Sequence, residues 1–137
     1  MEEGGAVTTR PLKISLRTFP MGRDLVVLIT GGRAHIGAVA TAYPDSGGIQ
    51  VKTHALPGHR EGDLVKELAY AAASSLDCTV TVAMGIHVDR ATRDEIDEIV
   101  RTVRRGMREV LTSGYPLAGE GSFHISVHSA SSQQGTV

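Results

Sequence analysis

The residues with the most chemistry in this chain are its histidines, His35, His54, His59, His87, His124 and His128. An imidazole can donate, accept, bind a metal or carry charge near neutral pH, so its surroundings decide its use. His54 shares an alternating face with Gln50 and Lys52 and reads as a surface side chain. His124 and His128 would lie about 13 Å apart in a strand, too far to grip one metal. His35, His59 and His87 differ because each stands near a glycine at the boundary of an element.

His35 and Gly37 fall on one strand face, where the missing side chain leaves room for a flat group to approach the backbone. Gly58-His59-Arg60-Glu61 opens a helix, where free N–H groups and the helix dipole favour an anion and Arg60 adds a forked donor. His87 and Asp89, at i and i+2, share a face, so the carboxylate can orient the ring. Each feature has a plainer counterpart. These are a core histidine in an Ala-rich strand, a glycine turn with ordinary capping, and an aspartate that caps the next turn.

No G-x-S-x-G elbow, P-loop or G-x-G-x-x-G sequence is present. Cys78, the only cysteine, begins a buried-looking strand, and the serines cluster in loops, at a helix end and in the tail. No nucleophile with a positioned base emerges. The residue chemistry favours holding a molecule over converting one.

The elements that must position these residues are legible in the hydrophobic pattern. Leu12, Ile14 and Leu16 alternate with Lys13, Ser15 and Arg17 as a strand near an edge. Leu25 to Thr30 is apolar on both faces and runs into Gly31-Gly32, which predicts a tight hairpin into a strand over 34–43. Ile49, Val51 and Thr53 form a fourth strand after the Pro44–Gly48 loop. Leu64, Val65, Leu68, Ala69, Ala72 and Leu76 recur at helical spacing, so a helix runs from about Glu61 to Leu76. Glu61 and Asp63 sit at its positive end.

Val80, Val82 and Met84 then alternate as a fifth strand that ends in Gly85-Ile86-His87-Val88-Asp89. Thr92 and Glu95 form a capping box for a second helix with the stripe Ile96, Ile99, Val100, Val103, Met107 and Val110. Its Arg101, Arg104, Arg105 and Arg108 suit the negative end of the dipole and a solvated face. Residues 1–112 thus read as one α+β domain with two helices on one face of a mixed or antiparallel sheet of about five or six strands. Residues 113–137 read as a polar Ser/Gly-rich tail with one added strand over 122–128.

Composition narrows the function. The 137 residues carry a net charge of −1, which argues against general attachment to nucleic acid or anionic membrane. Aromatics are 4%, too few for a base-stacking surface. One cysteine excludes an intramolecular disulfide and a thiolate zinc cluster within one chain, and no run of about 18 apolar residues suggests a membrane span. A reducing cytoplasm is the expected compartment.

In order and spacing, His35-Ile36-Gly37-Ala38-Val39-Ala40, Gly58-His59-Arg60-Glu61 and Gly85-Ile86-His87-Val88-Asp89 resemble the LpdD-like family. Its members are small accessory subunits associated with gallate decarboxylase and regarded as prenylated-FMN chaperones for UbiD-type decarboxylases. The likeness spans roughly residues 24 to 111. Gly62 interrupts the acidic helix start, and the tail lies outside the match. The resemblance implies a non-catalytic homodimer, like proteasome-assembly-chaperone subunits, that binds reduced prenylated FMN and hands it to an apo-decarboxylase. Residues and resemblance together nominate His35, Gly37, Gly58, His59, Arg60, Glu61, His87 and Asp89 as cofactor-binding. Ala38 and Ala40 would help wall the tricyclic ring.

Two other readings stand beside it. A small metal-dependent hydrolase or isomerase would use His35, His59 and His87 as ligands with Asp89 as orienter or base. A pure assembly factor would dock through its helices and need no ligand.

Overall fold

The computed structural model describes residues 8–57, 61–112, 119–129 and 135–136. In chain order the elements are β1 (Thr8–Met21), β2 (Asp24–Gly32), β3 (Ala38–Asp45), β4 (Gly48–Ala55), α1 (Gly62–Leu76), β5 (Val80–Val88), α2 (Arg93–Thr112), β6 (Gly119–Ser129) and β7 (Gly135–Thr136). The strands form one mixed sheet in the order β4-β3-β5-β2-β1-β6, with β7 added against β5. All pairings are antiparallel except that of β2 with β5.

The alternation in each strand decides which face the helices cover. Leu12, Ile14 and Leu16 of β1, Leu25, Val27 and Ile29 of β2, Ala38, Ala40 and Ala42 of β3, and Val80, Val82, Met84, Ile86 and Val88 of β5 all enter one buried core. From α1 come Leu64, Val65, Leu68, Ala69, Ala72 and Ala73; from α2 come Ile99, Val103 and Met107. α1 lies over β3, β4 and β5, whereas α2 lies over β1 and β6. A bidentate pair from Arg104 to Glu67, with both N···O distances at 2.8 Å, joins the two helices on their exposed side. At that exposure it contributes at most about 1 kcal/mol, so buried apolar surface does most of the holding.

Two expectations change. β2 and β3 do not pair, because β5 lies between them. The apolar run Val80–Val88 needs neighbours on both edges and takes β2 in parallel on one side and β3 on the other. Gly32, at φ +61°, turns the chain away from β2 instead of closing a hairpin. β3 consequently begins at Ala38, and residues 34–37, expected in the strand, are irregular backbone.

In the tail, β6 pairs with β1 from Thr8↔Ser129 to Thr18↔Gly119. His124 and His128 occupy register positions opposite Lys13 and Thr9. The remaining tail residues lie outside the described set.

The second helix starts as its capping box requires. Thr92 N–H donates to Glu95 Oε1 at 2.9 Å, and Glu95 N–H donates to Thr92 Oγ1 at 3.1 Å. Thr92→Ala should therefore lower unfolding free energy by about 1 kcal/mol, measured by urea denaturation with an unchanged m-value.

Candidate functional site

Parallel β2 and β5 run side by side to Gly31↔Ile86 and Gly32↔His87, so their C-terminal ends finish together. Crevices at such ends are common ligand sites because the chains diverge there. β3 accompanies β5 only as far as Ala38↔Met84. The last β3-side bond is Gly37 N–H to Met84 O at 2.9 Å, after which the chain crosses β5. A Cβ on Gly85 would collide with the carbonyl of His35, so a side chain there would exclude the crossing loop. Arg33 N–H donates to His87 O at 3.2 Å and ties the loop's other end to β5.

This crossing brings His35 to His87. Their rings are edge-to-face, with centroids 6.2 Å apart and planes at 79°. His35 Nδ1–H donates to Arg33 O at 3.1 Å, and its Nε2 lies 3.8 Å from Glu61 Oε2. His87 Nε2–H donates to Asp89 Oδ1 at 3.1 Å, the arrangement expected from the i, i+2 spacing. Arg33 Nη2 stands 3.6 Å from the same Asp89 oxygen. The His87 side chain is 11% exposed and that of His35 24%, so both rings reach solvent while their polar neighbours hold them.

Glu61 is not the exposed acidic residue that a helix start suggests. As N-cap of α1 it makes no side-chain capping bond. Its carboxylate turns inward and is completely buried, and Oε2 accepts the Ile86 N–H at 3.1 Å. That carboxylate fills the space beside Gly37 in which a flat ligand was expected, since a Cβ at 37 would lie 2.7 Å from Glu61 Cδ. Ala38 and Ala40 are also displaced from their expected role, because both face the helices with no exposed surface.

Gly58, His59 and Arg60 lie outside the described residues. Among the described residues no group of three or more His, Cys, Asp or Glu side chains could hold a metal ion. Sequence reasoning missed Arg33; the available signal was a cation directly after the Gly31-Gly32 turn at the end of a central strand. His54 is exposed on β4, as its alternation indicated.

A family model for the prenylated flavin chaperone LpdD-like domain matches residues 8–114. The chain belongs to this family. The LpdD-like span contains His35, Gly37, Glu61, His87 and Asp89, and it reaches further toward the N-terminus than the three motifs did, taking in β1. β6 and β7 lie beyond it. Comparison with curated proteins returns no match. No described helix is long and apolar enough to cross a membrane.

Cys78 lies away from the histidine cluster, in the turn between α1 and β5. Burial pushes its thiol above the ordinary range; Asp24 and Asp77 add to the shift, and Arg23 opposes it. A raised pKa leaves less thiolate at a given pH and the side chain is buried, so iodoacetamide should alkylate the native protein at pH 8 more slowly than a free cysteine. Denaturation should restore the ordinary rate, with mass spectrometry following both reactions.

Proposed function

We propose that this LpdD-like chain binds reduced prenylated FMN as cargo and delivers it to a UbiD-type decarboxylase that acts on aromatic acids. It takes no part in the decarboxylation itself. The observation that carries this reading is the pair of oriented imidazoles, His35 and His87, held with Arg33 where parallel β2 and β5 end.

A flavin mononucleotide needs a phosphate site and a flat apolar wall. Arg33, His35 and His87 supply N–H donors for the first. For the second, the helix-free face of the sheet carries Ala83, next to the crossing loop that covers Gly85. Leu28 of β2 and Val39 of β3 are register partners of Ala83 on either side. These residues span two inter-strand spacings, roughly 10 Å, close to the length of a tricyclic ring. They replace Ala38 and Ala40 as the wall. Gly58, His59 and Arg60, directly before α1, would add phosphate donors from the helix start. A second copy on this open face would complete the pocket as a homodimer. A cytoplasmic location fits the single free thiol.

The metal-dependent hydrolase or isomerase reading would need His59, which lies outside the described residues, as a ligand beside His35 and His87. The pure assembly reading leaves the paired imidazoles without a purpose.

Anaerobic titration of the intact protein with reduced prenylated FMN, oxidised prenylated FMN and FMN tests the proposal. Saturable binding with preference for the reduced prenylated form is expected, and His87→Ala should weaken it about tenfold. Absence of binding by the wild-type protein would reject the reading.

Asp89 stands 3.6 Å from Arg33 and Glu61 stands 3.8 Å from His35, so capturing a phosphate dianion beside these carboxyl groups should draw protons onto the imidazoles. Calorimetry in two buffers of different ionisation enthalpy should show net proton uptake on binding. No uptake would put the phosphate elsewhere.

A further inference from the structure

The buried Glu61 carboxylate joins three segments that are distant in the sequence. It accepts the Ile86 N–H of β5 at 3.1 Å, lies against Gly37 of the crossing loop, and faces His35 Nε2 at 3.8 Å. It starts α1 without capping it. We infer that Glu61 is a positioning residue, whose carboxylate replaces the absent β3 neighbour of Ile86 and thereby sets where the His35 ring stands in the site. That the ring then serves a flavin phosphate rests on the function proposed above; the positioning itself does not.

The packing shows how the control works. Between Met84, where β3 ends, and His87, where β7 begins to pair, the β3-side edge of β5 has no strand partner, and Ile86 is buried. A buried N–H must find an acceptor, and a side-chain oxygen meets that need where no backbone carbonyl runs alongside. Fixed there, the carboxylate defines the floor on which residues 35–37 rest. An added Cβ at 37 would lie 2.7 Å from Cδ and 2.8 Å from Oε2 of Glu61, so either the carboxylate must leave Ile86 or the loop must shift. His35 is further held by its Nδ1–H bond to Arg33 O, so a displaced loop moves the ring with it. Gly37 and Glu61 form one steric unit, and His35 is what that unit aims.

The full-length chain and the variants Glu61→Gln, Glu61→Ala, Gly37→Ala and Gly37→Ala/Glu61→Ala test this. Readouts are the His35 imidazole signals in long-range ¹H–¹⁵N spectra without ligand, the thermal midpoint, and affinity for FMN and reduced prenylated FMN. The His35 signals are assigned by comparison with His35→Ala. Glu61→Gln keeps an oxygen for Ile86 N–H and should leave the His35 signals near their wild-type positions, with affinity within about threefold. Glu61→Ala and Gly37→Ala should each shift those signals and weaken binding roughly tenfold.

The effects should not add, because Glu61→Ala removes the group that the new Cβ strikes. Unmoved His35 signals in folded Gly37→Ala or Glu61→Ala would overturn the inference, as would a Glu61→Gln protein as impaired as Glu61→Ala. Should Glu61→Ala fail to fold, Gly37→Ala and Glu61→Gln still decide it. If no form binds flavin while the His35 signals behave as expected, the function fails and the positioning role stands.

Discussion

At Ile86 a central strand loses one of its neighbours while still inside the protein, and the backbone amide there must be satisfied without a strand. The Glu61 carboxylate does this from the start of α1. A carboxylate is a costly choice of acceptor, since a desolvated charge requires compensation that a neutral amide would not. The same placement, however, sets a carboxyl group beside His35 and fills the space that a side chain at 37 would take. Gly85 is required by the loop that crosses above it. The glycines beside the histidines therefore make room for this protein's own atoms, the carboxylate at Gly37 and the backbone at Gly85.

This explains which parts of the site could be read from sequence. The His87–Asp89 bond follows from strand alternation over two residues, and the Thr92–Glu95 box from one helical turn; both are local rules, and both geometries are present. The two helices and the five strands before residue 112 follow from hydrophobic period in the same way. Pairing partners do not. Nothing within residues 25–43 announces that Val80–Val88 will insert between β2 and β3, because that choice depends on which strand most needs two buried edges. The predicted hairpin failed for this reason, and with it the strand placement of His35.

Glu61 was misread for a related reason. An acidic residue at a helix start has a sufficient local explanation in the dipole, so sequence offers no motive to look for another. Its inward turn answers a need at Ile86, twenty-five residues later, which exists only once β3 has left β5. Ala38 and Ala40 were assigned to a ligand wall because they are small and near Gly37. Strand alternation, carried through from Val39, sends them to the helix side instead and leaves Val39 on the open face with Leu28 and Ala83.

A cargo carrier must hold its ligand firmly enough to shield it and loosely enough to release it, and the arrangement at the end of β2 and β5 suits that compromise. Two imidazoles and one guanidinium offer oriented donors, but Asp89 and Glu61 occupy part of their bonding capacity in advance. At the proposed site an arriving phosphate would compete with those carboxylates instead of meeting a bare cationic nest, which would moderate its affinity. The face proposed for the ring is aliphatic, with no aromatic side chain among Leu28, Val39 and Ala83, so flavin contacts there would gain burial without strong stacking. A tighter site could be built from lysines and tryptophans, and it would surrender its cargo more slowly, because most differences in affinity between related sites appear in the rate of release.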